Sequence, residues 1–187
     1  LKYAYHPGNV AHSGSPEVAE TMDAVARNLG LELTPLEGAT SCGAGIIKQA
    51  NQRLQLALNA RTFAMAESLG LEILSPCAAT AGNLKQDLEK LRSDNILMKE
   101  INDVLTKTCG MEFTGNTEVH HLLHVLVDEI GLDKVEKLAV NKFDFRVAPY
   151  YSPYFQMEGA CGGDSVNDPE YFEKLVRSLG GRPIDWE

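Results

Sequence analysis

The chain has 187 residues, 44% of them hydrophobic, which is enough to bury a packed core without disulfide staples. Its net charge of −9, with no clustered run of Lys or Arg, excludes the basic stripe that nucleic-acid-binding domains present to phosphates. No apolar stretch reaches the roughly 18 residues that a membrane helix needs. Four cysteines, spread along the chain, are typical of a reducing compartment. We therefore expect a cytoplasmic protein without a nucleic acid partner or a transmembrane segment.

The first 36 residues are typical of one β-α-β unit. Residues 2–5 form a strand-like segment that ends at the turn residues His6-Pro7-Gly8. Apolar residues at helical spacing predict a helix over 17–29, which ends at a glycine. Residues 31–36 then alternate between apolar and polar side chains, which predicts a second strand.

The same alternation of elements continues along the chain. Helical periodicity runs over 46–69, and a short apolar strand follows at 71–74. A helix over about 83–105 carries charges all round, which indicates a solvated or partner-facing element. Another helix is predicted over 119–130. Strands that alternate with helices of this length predict a largely parallel sheet with helices packed over it.

An internal repeat divides the chain into two halves. Lys2-Tyr3-Ala4 is echoed by Arg146-Val147-Ala148, and residues 29–37 are echoed by residues 179–187. The second half therefore restarts near residue 143. We predict an α/β fold of two pseudo-repeated β-α-β halves with a parallel sheet and flanking helices. Residues 1–142 form the first half with its linking helices, and residues 143–187 form the start of a truncated second half.

Three loops carry cysteines, or residues at spacings typical of cysteine motifs. They are Tyr5-His6-Pro7-Gly8-Asn9, Ser41-Cys42-Gly43-Ala44 and Pro76-Cys77-Ala78-Ala79-Thr80. In order and spacing they resemble the CCG domain found in the family of B-type heterodisulfide reductase subunits. That family includes the E-type subunits of some succinate and fumarate dehydrogenases. The resemblance extends over nearly the whole chain.

The resemblance implies a [4Fe-4S] cluster site, because the family's cysteines hold such clusters by thiolate ligation. Carried over position by position, Cys42 and Cys77 match family ligands. The remaining matched positions lack cysteine: Asn9, Ser41 and Thr80 in the first half, and Pro153 in the second. Oxygen-bearing side chains are poor substitutes for soft thiolates. We therefore expect the cluster to be absent or incomplete.

The implied function is that of a subunit of a heterodisulfide-reductase-like oxidoreductase complex that transfers electrons to or from a disulfide or thiol. Its catalytic and cofactor-binding residues would be Cys42 and Cys77. By resemblance, its partners would be a small iron–sulfur subunit of the C type and other oxidoreductase subunits, through which it could associate with a membrane. Two alternatives stay open. The chain could be a cluster-free scaffold, in such a complex or in a succinate or fumarate dehydrogenase with an E-type subunit, that docks through the polar helix 83–105. Alternatively, Cys42 and Cys77 could form a reversible disulfide.

The histidines offer weaker hypotheses. His120 and His124 are four residues apart, so they would share one helix face and could hold zinc. The apolar residues between them favour a core-packing helix with histidines at its rim. His6 and His12 are interpreted as solvent-facing loop residues, although His6 could join Cys42 and Cys77 in a mixed metal site.

The two remaining cysteines are interpreted as structural. Cys109 follows the charged helix and has no partner at ligand spacing. Cys161 lies in a glycine-rich loop that lacks the β-α-β context of a phosphate-binding fingerprint. Neither is expected to carry chemistry.

Overall fold

The computed structural model of this chain describes residues 1–8, 11, 14–155 and 163–185. Its main sheet contains four parallel strands, which lie side by side in the order β2-β1-β3-β4. In chain order they are β1 (Lys2–Tyr5), β2 (Glu32–Pro35), β3 (Glu72–Ser75) and β4 (Val119–His121). The predicted α/β fold with a parallel sheet is confirmed.

Helices connect and cover these strands. They are α1 (Pro16–Leu29), α2 (Ile46–Ala50), α3 (Gln52–Leu69), α4 (Ala78–Ser93), α5 (Asn95–Cys109), α6 (Leu122–His124), which continues as a π-helical segment (Val125–Ile130), α7 (Leu132–Leu138) and α8 (Tyr171–Ser178). Gly30 and Gly70 end α1 and α3 in the left-handed conformation, as the glycine positions predict. The predicted helix 46–69 is interrupted at Asn51, whose side chain accepts a hydrogen bond from the Leu54 N–H and so caps α3.

Helices pack on both faces of the sheet. Ala4 and Ile73 point to one face, where they join a core formed with α3, α4 and α5. Tyr3 and Leu74 point to the opposite face and pack with residues of α1, α7 and the π-helical segment. Because successive strand residues alternate between faces, two-sided burial explains why β1 and β3 each have buried apolar residues at adjacent positions.

Two sequence predictions about the middle of the chain are wrong. The helix over 83–105 is in fact two helices, because Asp94 ends α4 and its carboxylate caps α5 by accepting from the N–H groups of residues 96 and 97. Leu84, Leu88 and Leu91 of α4 are fully buried, so this element is not polar all round. The helix predicted over 119–130 begins instead as β4, because residues 119–121 pair with β3 and extend the sheet.

The second half contains a smaller β-α-β unit. Strands β5 (Arg146–Val147) and β6 (Arg182–Pro183) pair in parallel, and α8 lies between them in the chain. Arg146 stands opposite Arg182, just as Lys2 stands opposite Glu32 in the main sheet. This register agrees with the sequence repeat, which equates these pairs of positions. The boundary at residue 143 stays a prediction.

Candidate functional site

The loops that follow β1 and β3 meet at the carboxyl edge of the sheet. Because β2 and β3 flank β1 on opposite sides, the order in which the strands are added reverses between β1 and β3, and open α/β sheets bind ligands at such a switch point. Gly8, in the loop after β1, has a φ of +81°, and a Cβ atom there would lie 2.5 Å from the Cβ of Cys77. Only glycine fits this contact. The first and third cysteine-pattern loops are therefore in direct contact.

The second loop brings Cys42 to the same place. Its side chain is 1% exposed, and its Sγ lies 3.6 Å from the Thr80 hydroxyl, which donates to it. The same hydroxyl lies 3.2 Å from the position of a Gly8 Cβ, as does the Cys77 sulfur. We call Gly8, Ser41, Cys42, Cys77 and Thr80 the cradle. The structure thus brings together Cys42, Cys77 and Thr80, which the sequence pattern predicts to share a site.

The other positions without cysteine are placed differently. Ser41 lies next to Cys42 and its hydroxyl accepts a hydrogen bond from the Gly43 N–H at 3.1 Å. Pro153 is exposed in a turn of the second half, and the neighbouring Tyr154 lies against Gly82 of α4. Asn9 lies outside the described residues, so its predicted place in the cradle stays a prediction.

Buried carboxamides hold the backbone of Cys42. Its carbonyl oxygen accepts from Asn83 Nδ2 at 2.6 Å, from Asn59 Nδ2 at 3.0 Å and from Gln55 Nε2 at 3.4 Å. Asn59 Nδ2 also contacts Asp87 Oδ2 at 2.5 Å. We call Gln55, Asn59, Asn83 and Asp87 the polar lattice. All four are at most 2% exposed, so their bonds form in a medium where an unpaired polar group is costly.

Sequence reasoning missed the polar lattice. Its members come from α3 and α4, which are distant in the chain and meet only through tertiary packing. A signal was present, however. Asn59, Asn83 and Asp87 each lie within a helix, three or four residues from apolar positions on the same face, and polar residues at core positions need a partner.

Burial governs the ionisation of the site. Desolvation raises the pKa of the Cys42 thiol, although hydrogen bonds from the Ala44 N–H and the Thr80 hydroxyl act in the opposite direction. Desolvation also raises the pKa of Asp87, and the Asn59 amide opposes this effect. The sulfur of Cys42 is therefore a protonated, hydrogen-bonded group inside the protein.

The donor set of the cradle does not fit a [4Fe-4S] cluster. Such a cluster takes four thiolates, and the described cradle supplies only those of Cys42 and Cys77. Ser41 and Thr80 offer hydroxyl oxygens, which are hard donors. Across the described ranges, no three His, Cys, Asp or Glu side chains are grouped so that they could hold a metal ion.

The histidine hypotheses fail on geometry. His6 is buried, which contradicts a solvent-facing position, and both ring nitrogens are engaged: Nδ1 accepts from the Gly8 N–H and Nε2 contacts the Thr40 carbonyl. It does not join the cysteines in a mixed site. His120 lies on β4 and His124 lies on α6, so they do not share a helix face. His12 lies outside the described residues.

His121 and His124 are core residues rather than rim residues. His121 Nδ1 accepts from the Leu123 N–H, which leaves Nε2 to donate to the Pro76 carbonyl at 3.0 Å. Both rings pack against Phe155 of the second half, and desolvation lowers the pKa of His121 to about 3 and that of His124 to about 4. These histidines are neutral packing groups at the contact between the two halves.

Of the two remaining cysteines, one is described. Cys109 is the last residue of α5, and its exposed thiol contacts the Leu105 carbonyl. It lies on a different element from the cradle. Cys161 lies outside the described residues, and its interpretation stays a prediction.

Comparisons with known proteins agree with the motifs. The family model described as "CCG: Cysteine-rich domain" matches residues 3–85, which span β1 to α4 and contain the whole cradle. Residues 3–85 are therefore similar to the CCG cysteine-rich domain family, and nearly the whole chain is similar to heterodisulfide reductase B subunits. The resemblance seen in the sequence is confirmed.

Two curated relatives show which proteins this chain is similar to. The chain is 30% identical, over 100% of its length, to the 8-methylmenaquinol:fumarate reductase membrane anchor subunit of Wolinella succinogenes, and covers 64% of it. It is 26% identical, over 99% of its length, to the B subunit of the ferredoxin/F(420)H(2)-dependent CoB-CoM heterodisulfide reductase of Methanosarcina acetivorans, and covers 62% of that protein. The chain thus spans less than two thirds of these curated relatives.

A solved structure supports the fold alone. The crystal structure of a hypothetical protein from Helicobacter pylori aligns with 100% of this chain and 33% of its own chain, with a TM-score of 0.66 and 12% identity. In the described part of the chain, no helix is both long enough and apolar enough to span a membrane.

Proposed function

We propose that this chain is part of a subunit of heterodisulfide-reductase type within an oxidoreductase complex, and that its cradle carries no [4Fe-4S] cluster. Relatives over nearly the whole chain are named as subunits of heterodisulfide and fumarate reductases, which supports membership of such a complex. The observation that carries the cluster-free cradle is the Thr80 hydroxyl, which donates to Cys42 Sγ at a family ligand position.

The cluster-free cradle is tested by restoring the family's cysteines. Wild-type protein and the triple variant Asn9→Cys, Ser41→Cys and Thr80→Cys are reconstituted anaerobically with iron and sulfide, and bound iron and acid-labile sulfide are measured. We expect far less than four irons per chain in the wild type and a clear gain in the variant, because all five family ligand positions then carry a thiol. A stoichiometric [4Fe-4S] signal in the wild type would overturn the proposal.

The role within the complex has two candidates. In the first, the subunit handles a disulfide, thiol or quinone together with a small iron–sulfur subunit of the C type. In the second, it is a cluster-free scaffold, which the polar lattice favours because three carboxamides fix Cys42 without a metal. In either role the protein would lie on the cytoplasmic side, and its partners could associate it with a membrane.

Purification of the intact complex separates these roles. The tagged chain is isolated anaerobically from its own cells, and its partners are identified by mass spectrometry alongside a viologen-linked disulfide reduction assay. Co-purification of an iron–sulfur subunit is expected under both roles. Activity that disappears in Cys42→Ser and Cys77→Ser supports a direct role. Unchanged composition and activity in both variants supports the scaffold, and a chain that purifies alone contradicts both.

A further inference from the structure

We propose that Cys42 and Cys77 act as a dithiol that exchanges with small, positively charged disulfides and closes into an intramolecular disulfide. The inference rests on the proposed cluster-free cradle, since iron would otherwise occupy both sulfurs. It goes further by assigning a chemical step, an order of attack and a substrate charge to the residues of the cradle.

The two thiols share one small space. Thr80 Oγ1 contacts Cys42 Sγ at 3.6 Å, and both Thr80 Oγ1 and Cys77 Sγ lie 3.2 Å from the point where a Gly8 side chain would begin. Glycine places no side chain at this point. Neither sulfur is already in a disulfide.

Exposure assigns different roles to the two sulfurs. Cys77 is half-buried and stands at the N-cap of α4, at the surface of the cradle. Cys42 is 1% exposed, and its carbonyl is fixed by the polar lattice. A disulfide from solution therefore meets Cys77 first, and Cys42 can act only on what Cys77 has already captured.

On the side of the Gly8 loop, the surroundings favour a positively charged substrate, whereas Lys48 lies on the opposite side, bound to Asn83. A cavity of about 440 Å³ borders the cradle at Gly8 and Ser41. Among its described lining residues, Asp23 and Glu37 are acidic and none is Lys or Arg. Acidic groups attract cationic ligands and repel anionic ones at short range, so the cavity discriminates by charge.

The exchange balances in two steps. The Cys77 thiolate attacks one sulfur of the substrate R–S–S–R, whose S–S bond breaks, and one RS⁻ leaves while Cys77–S–S–R forms. Cys42 then loses its proton and attacks the Cys77 sulfur, which forms the Cys42–Cys77 bond and releases the second RS⁻. Two protein thiols are oxidised by two electrons. Their two protons appear on the two RSH products.

The test uses two probes of opposite charge on a background without the other thiols. In the variant Cys109→Ser, Cys161→Ser, the protein is treated with cystamine, which is cationic, or with oxidised glutathione, which is anionic. Acid quenching, alkylation and peptide mapping then report the state of Cys42 and Cys77. Iron is assayed on the same preparation, and the urea midpoint of each variant verifies folding.

We expect cystamine to yield the Cys42–Cys77 disulfide at least tenfold faster than oxidised glutathione does. In Cys42→Ser, or Cys42→Ala if serine unfolds the protein, a cysteamine adduct should stay on Cys77. In Cys77→Ser, Cys42 should stay unmodified under native conditions.

Three results would overturn the proposal. A lasting adduct on Cys77 in the background protein, or no reaction, excludes ring closure and leaves the cluster-free cradle intact if the preparation is iron-free. Faster reaction with oxidised glutathione excludes the cationic substrate class. Stoichiometric iron on the two cysteines defeats this inference and the cluster-free cradle together.

Discussion

Acidification should destabilise this protein through His121 and His124. Both are buried as neutral rings, with pKa values lowered to about 3 and about 4 from the ordinary 6.5. Desolvation is the main cause for each. Because the unfolded state binds a proton below pH 6.5 and the folded state does not, the stability that these rings contribute is complete above pH 6.5. It declines as pH falls towards the folded-state values.

The magnitude follows from the width of that window. Each pH unit below 6.5 removes up to about 1.4 kcal/mol per histidine, so each ring loses up to about 2.7 kcal/mol between pH 6.5 and pH 4.5. Together, His121 and His124 lose up to about 5 kcal/mol, a large share of the 5–15 kcal/mol typical of a domain. Their mutual repulsion adds little in this range, because both rings are mostly neutral in the folded protein down to pH 4.5.

Urea unfolding at a series of pH values measures this effect. Carboxylates also respond to acid, so the share of one ring is the difference between the wild type and His124→Gln, which cannot titrate. We expect the variant to lose less stability than the wild type between pH 6.5 and pH 4.5. His120→Gln is the matched control, because His120 lies on the neighbouring strand and is partly exposed. If wild type and His124→Gln lose stability in parallel, the argument from buried neutral rings is wrong.

Two further predictions concern the cradle and the polar lattice. Gly8→Ala should lower the free energy of unfolding by about 1–3 kcal/mol more than the control Gly70→Ala. Both replace a glycine in the left-handed conformation, but only a Cβ at position 8 collides, because it would lie 2.5 Å from Cys77 Cβ. Equal shifts of the urea midpoint in the two variants would refute this contact. Asp87→Asn should stabilise the protein at pH 8, because the raised pKa means that ionised Asp87 is unfavourable when folded. The gain should shrink as pH falls and wild-type Asp87 is protonated, and a difference independent of pH would contradict this.

Local sequence signals were enough to predict the two elements on either side of Gly30. The helix before Gly30 has apolar residues at helical spacing and ends at that glycine, and the strand after it alternates apolar and polar residues. Both α1 and β2 could therefore be predicted within a residue or two. β4 could not, because no turn residue separates this three-residue strand from the helix that follows it at once. Its pairing with β3 depends on tertiary contacts, which hydrophobic periodicity does not report.

The cradle was predictable for a different reason than the polar lattice. Cys42 and Cys77 follow motifs whose spacing places them at one edge of a parallel sheet, so the pattern itself indicates their proximity. The bond from Asn83 to the Cys42 carbonyl depends on how α3 and α4 pack, and no spacing rule connects those positions. The hydrogen bonds that hold Cys42 are therefore visible only in the three-dimensional structure.

If the cradle holds no cluster, as we propose, the polar lattice explains how it keeps its shape. A loop organised solely by metal–thiolate bonds would leave buried backbone groups unpaired once the metal was gone, at about 1–3 kcal/mol for each. Here the Cys42 carbonyl has three side-chain donors, and its sulfur accepts from Thr80, so no cluster is needed to satisfy them. Substitution of Asn83 should consequently disturb Cys42 more than removal of iron does. Alkylation rates of Cys42 in Asn83→Ala and in chelator-treated wild type would compare the two directly, and a larger effect of the chelator would contradict this explanation.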